Sequence, residues 1–218
     1  MSYENRLEDG LMRSDAWSLV SSQRPAGQIA QRTLGGLQQL VYMEDLANIA
    51  VLDTLLRQKD RTGNIHAIPY YYYTQPDGSL GRTKVKKVKK KNREKFIAEK
   101  GAVEILKVVV LKDNDCSVGR SENDSRALKM VEKIRHIHPQ TYRMAVRFVK
   151  DLETAPFRSF FREELRFTEQ DYLRMMDDAR YISEALQSNC RAGMLHLDAD
   201  PDAFLRGEEI RDSYNYCE

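Results

Sequence analysis

The sequence predicts a mainly α fold with a small β component, α+β: a helical body that carries a basic β-hairpin. Three observations predict it. Apolar residues recur at three- and four-residue intervals over long stretches, the run Ile65 to Thr74 is dense in strand formers, and the Gln-Pro-Asp-Gly-Ser after it holds the residues of a tight turn.

Composition sets the outer limits. With 218 residues the chain is one large domain or two small ones, long enough to bury a core without staples. An apolar content of 41% beside 31% charged residues fits a globular protein and excludes general disorder. No apolar run approaches the ~20 residues of a membrane-spanning helix. The opening "MSYENRLEDG" is acidic and polar where a secretory leader is basic and then apolar, so the chain is expected to stay where it is made. Cys116, Cys190 and Cys217 are odd in number, widely spaced and without a CxxC pair. That pattern predicts neither a disulfide framework nor a zinc site, and a reducing cytoplasm, or the nucleus of a eukaryotic cell, as the simplest home.

The elements follow in chain order. A short helical stretch near Ser14 to Val20 is broken by "QRPAG". From Gln28 to about Gln58, Ile29, Leu37, Leu40, Val41, Ile49, Leu52, Leu55 and Leu56 mark one long core helix, with Gly35-Gly36 weakening or kinking its first third. Ile65 to Thr74 is a strand, which Pro69 assigns to an edge or a bulge. The turn sends the chain back through Leu80 to Lys90 as the second arm of a hairpin. Alternation puts Tyr71 and Tyr73 on one face and Tyr70 and Tyr72 on the other, one pair packed on helices and one exposed. Asn92 caps the short helix "REKFIAEK", closed by Gly101, and β-branched residues favour a strand at Val103 to Leu111 over the buried helix that its place between helical segments permits. After the polar stretch from Lys112 to Ser125 come helices at Arg126 to Arg135, Gln140 to Leu152, roughly Phe157 to Leu165, and Glu169 to Gln187. Thr168 and Asp171 stand at capping-box spacing before the last of these, and a final helix starts at Pro201 behind Asp200. The expected organisation is a helical region with the hairpin over 1–113, a loop or boundary over 114–125, and an acidic helical region over 126–218, the whole also readable as one continuous domain.

Motifs that carry chemistry are few. In "HIHP", His136 and His138 present two imidazoles to a metal only on extended backbone, and no Cys or carboxylate adjoins them in sequence, so polar histidines at a helix terminus are the expectation. Cys116 beside Asp115 is a poor nucleophile. Asp198, Asp200, Asp202 and Glu209 fall at positions one, three, five and twelve of a calcium loop, but Ala203 replaces its glycine, Pro201 stiffens it and Arg206 adds a positive charge. Helix capping explains that stretch better. No phosphate-binding glycine loop and no Ser/His/Asp motif is present, so no catalytic residue, metal or cofactor is assigned.

Charge is the informative feature. The formal net charge is +2, yet Arg82 to Lys100 holds ten basic residues against two acids, a local balance of +8. Asp151 to Glu218 holds sixteen acids against eight arginines and no lysine. Seven basic residues among ten positions repel one another, and phosphate contacts offset that repulsion by releasing condensed counterions. Lysine is a point charge suited to backbone attraction rather than base readout, and an exposed tyrosine face can stack on unpaired bases. The expected interface is Tyr71, Tyr73, Arg82, Lys84, Lys86, Lys87, Lys89, Lys90, Lys91, Arg93 and Lys95. The expected function is non-enzymatic, backbone-directed binding of DNA or RNA with little sequence specificity, in packaging, coating or regulation. The alternative is an assembly or adaptor subunit whose hairpin docks on an acidic partner or on the acidic C-terminal region of another copy.

Overall fold

The computed structural model describes residues 31–58, 65–111, 130–206 and Cys217. The expected helix at 14–20, Cys116, the loop at 114–125 and Glu209 lie outside the described residues.

A single long helix, α1 (Gln31–Leu56), serves two cores, because apolar residues occupy more than one of its faces. Leu37, Leu40, Val41 and Met43 pack on Tyr70, Tyr72 and Ile105 of the sheet. Leu46, Ala47 and Ala50 pack on the C-terminal helices, among Val131, Ile134, Tyr142, Ile182 and Leu186. The helix runs unbroken through Gly35-Gly36, the pair expected to weaken or kink its first third. It ends on Arg57, which takes a left-handed φ of 49° and grips buried Asp178 in a two-pronged contact of 2.6 and 2.9 Å.

The sheet is antiparallel, in the order β2 (Leu80–Lys84), β1 (Ile65–Thr74), β3 (Val103–Leu111). The expected hairpin is therefore present, at a turn where Gly78 takes a φ of +83° and Asp77 Oδ1 accepts hydrogen bonds from the backbone and hydroxyl of Ser79. The edge assignment for β1 is overturned, because it is the central strand. The backbone explains how a central strand tolerates Pro69. The Gln38 amide donates to the Leu106 carbonyl and accepts from the Leu106 N–H, both at 2.8 Å. Both Leu106 groups thus point away from β1, which makes Pro69 opposite Leu106 a non-hydrogen-bonded pair. The Pro69 nitrogen then faces the β2 side, where pairing begins only at Tyr70 with Lys84, so no ladder bond is lost. The bulge lies nearby instead, between His66 and Ala67.

The C-terminal part is helical, which with the small sheet makes the fold mainly α with a small β component. Beyond a helical piece at 130–132, α3 (Pro139–Leu152), α4 (Ala155–Ser159), a π-type turn at Phe160–Glu164, α5 (Glu169–Arg191) and α6 (Pro201–Arg206) follow. The segment expected to be helical to Arg135 turns at Lys133. α2 (Arg93–Lys100) closes on Gly101 as expected, and Thr168 and Asp171 form both hydrogen bonds of the capping box. An apolar groove of about 420 Å3 runs between α1, α3 and α5, bordered by exposed Leu52 and Met144. Among the described residues no helix is long and apolar enough to cross a membrane.

One covalent feature corrects the sequence reading. Cys190 and Cys217 form a disulfide with their Cα atoms 5.7 Å apart, both buried in the cluster that holds Leu195 and Leu197. A separation of 27 residues and an odd third thiol carry no pairing signal, so only tertiary closure brings this pair together.

Candidate nucleic-acid interface

The basic run does not continue β2. The strand stops at Lys84, and Val85–Lys87 and Lys90–Asn92 form two successive 3-10 turns, correcting the expected arm through Lys90. The reason is the spacing of the valines. Val85 and Val88 stand three apart, which a strand would send to opposite faces but a three-residue turn returns to one side. Both pack there, with Tyr71, Phe96 and Ala102. Lys86, Lys87, Lys89, Lys90 and Lys91 are consequently turned out to solvent, and no carboxylate among the described residues lies within ion-pairing distance of them.

The other expected residues divide into three groups. Arg82 and Lys84 lie opposite Tyr72 and Tyr70, on the sheet face turned to α1. Arg82 is exposed, with its charge pulling on the Tyr72 phenol, and the Lys84 ammonium stands 5.9 Å over the Tyr70 ring. Arg93 and Lys95 open α2, where the Arg93 Nε donates to the Val88 carbonyl at 3.5 Å and Lys95 meets Glu99 at 3.6 Å. Tyr71 and Tyr73 share a face, as alternation requires, but that face is not open. Tyr71 is 2% exposed, with its ring 5.5 Å from Phe96. Half-buried Tyr73 lies against Gly81, where an added Cβ would come within 2.4 Å of the ring, with Phe96 at 5.6 Å and the Lys100 ammonium 5.7 Å above it. The exposed stacking platform is thus corrected: Val85, Val88 and α2 cover the second tyrosine face as α1 covers the first.

A second charged assembly, unforeseen from the sequence, lies on the α1 side of the sheet. Lys107 of β3 meets Asp45 of α1 at 2.9 Å, both nearly buried. Glu44 beside them has its carboxyl pushed from 4.5 up to about 7, chiefly by burial; Lys107 and Arg82 pull it down while Asp45 and Asp200 push it up. Burial likewise raises the Tyr72 phenol. A single lysine within "VEILKVVVL" and an acid pair within the apolar stretch of α1 were the available signals.

The histidines and the calcium-like run meet each other. His136 and His196 pair as neighbouring extended segments, with Ile137 N–H donating to His196 O at 3.0 Å. His136 Nδ1 lies 2.9 and 3.1 Å from the two oxygens of fully buried Asp198. His138 caps α3, its Nδ1 accepting from Gln140 N–H, and its Nε2 is 3.7 Å from Asp200. Burial lowers the His138 pKa, against the charge of Asp200. Asp200 also caps α6 through Ala203 N–H, and Asp202 accepts from Leu80 N–H at 3.2 Å. The three aspartates thus serve three separate contacts, in place of one calcium loop. Among the described residues no group of three or more His, Cys, Asp or Glu is arranged to hold a metal ion.

Comparison with protein families, curated proteins and solved structures returns no match. The functional reading therefore stands on the chain's own chemistry.

Proposed function

We propose that this chain is a non-enzymatic nucleic-acid-binding protein that grips the phosphate backbone with its two lysine-bearing turns, in a packaging, coating or regulatory role. One observation carries the reading: five lysines in six positions, Lys86 to Lys91, face solvent from a backbone pinned by Val85 and Val88. Like charges held together repel, and no described carboxylate neutralises them, so a polyanion is the partner that relieves them. Such a role places the chain in the cytoplasm or nucleus, where the Cys190–Cys217 bridge is protected by the burial of both sulfurs.

The test is the nucleic acid carried through purification. The ratio of absorbance at 260 nm to that at 280 nm is expected to be high at low salt and to fall after a high-salt wash. A protein-like ratio at both, with no binding when DNA or RNA is added back, would reject the reading. It would leave the assembly role, in which the lysine turns dock on an acidic protein surface, for which the lysine-free segment from Asp151 onward is the observation in favour.

A further inference from the structure

We infer that the lysine turns recognise a linear phosphate chain as such, so that a polymer with phosphates and no bases, inorganic polyphosphate, binds them as well as nucleic acid does. The inference rests on the reading above and narrows it to a ligand chemistry.

Proteins read bases with exposed aromatic faces, with arginine forks or with amide side chains. The tyrosines offer no free ring face at this surface. Tyr70, Tyr71 and Tyr72 are 8%, 2% and 2% exposed. Tyr73 is enclosed by Gly81, Phe96 and the Lys100 ammonium, with its hydroxyl 3.3 Å from that of Thr83. Of the two arginines of the run, Arg93 is engaged on the Val88 carbonyl, and Arg82 lies outside the turns, exposed on β2 opposite Tyr72. Within the turns, what faces solvent is ammonium groups at Lys86, Lys87, Lys89, Lys90 and Lys91, with the side chain of Asn92 the sole amide there.

An ammonium on a flexible stem is a point charge. It has neither the planar fork that selects a base edge nor a geometry that separates a phosphodiester from a phosphoanhydride. Its contribution follows the density of negative charge along the ligand and the counterions released. Base identity accordingly drops out of the recognition, and strand number enters only through the density of charge.

Competition tests this on the unmodified protein. A fluorescently labelled single-stranded DNA, and a duplex of the same sequence, are bound at low salt with EDTA present and displaced by inorganic polyphosphate or by unlabelled DNA, compared per phosphate. The expected result is displacement by polyphosphate within about threefold of that by DNA, the same for both labelled forms. The variant with Lys86, Lys87, Lys89, Lys90 and Lys91 all changed to Gln is expected to lose at least tenfold in affinity for both polymers, with its circular dichroism unchanged. Binding of DNA that polyphosphate fails to displace at a hundredfold excess of phosphate would overturn the inference and leave nucleic-acid binding standing. Binding of labelled polyphosphate without binding of DNA would overturn both the equivalence of the two polymers and the nucleic-acid role. Binding of neither would overturn both.

Discussion

Protonation and folding are joined at Glu44. Its carboxyl holds a proton up to about pH 7 in the fold and to about 4.5 in the open chain. A folded state that binds the extra proton is favoured where that proton is present. The contribution is complete below pH 4.5 and is lost as pH rises toward 7 and above. The groups facing it are Lys107, Asp45, Asp200 and Arg82, and their opposing signs leave burial as the main cause. Glu44→Gln keeps the shape and removes the charge. Urea unfolding is expected to show the native protein losing on the order of 2 kcal/mol more than this variant between about pH 5 and about pH 8. Parallel pH profiles would show that Glu44 is solvated in both forms. In sequence the residue was visible as an oddity, an acid pair inside an apolar helical pattern. Its meeting with Lys107 required the packing of α1 on β3, which no local spacing encodes.

At the scale of elements, the two 3-10 turns link the hydrophobic pattern to the charged surface. Val85 and Val88 anchor them, and each lysine between and after the anchors is turned outward as a result. Changing both valines to alanine is expected to lower stability by on the order of 2 kcal/mol. Limited trypsin digestion should then cut first between Lys86 and Lys91. Cleavage there at the same rate in the native protein would contradict the anchored geometry. Strands, caps and helices of the described parts were largely legible, because β-branched density, capping residues and the 3.6-residue period act locally. The turns were misread as strand, although the three-residue spacing of Val85 and Val88 was present in the sequence. Of the two readings of Pro69, edge or bulge, the edge failed because Pro69 forbids a ladder bond only where one would form, and the register decides that. The covering of Tyr71 and Tyr73 was hidden for a related reason: Phe96 comes from a helix that is polar over most of its length, with only Phe96 and Ile97 as large apolar residues.

For the whole molecule, α1 joins the sheet to the C-terminal helices through two adjoining clusters, and the disulfide ties Cys217 back to the end of α5. The acidic run at Asp198, Asp200 and Asp202 is engaged inside this body, on His136, on the α6 N-terminus and on Leu80. Among the described residues no acid of this run reaches the lysine turns, which face solvent. The central claim is that those five lysines hold phosphates, and the salt dependence of duplex binding addresses it most directly. Five phosphate contacts release enough counterions for log K to fall with log salt at a slope of about −4.5. The account predicts a slope near that value for the native protein, and a much flatter one, with affinity at low salt reduced at least tenfold, when Lys86, Lys87, Lys89, Lys90 and Lys91 are changed to Gln. Equal slopes and equal affinities for the two proteins would contradict it.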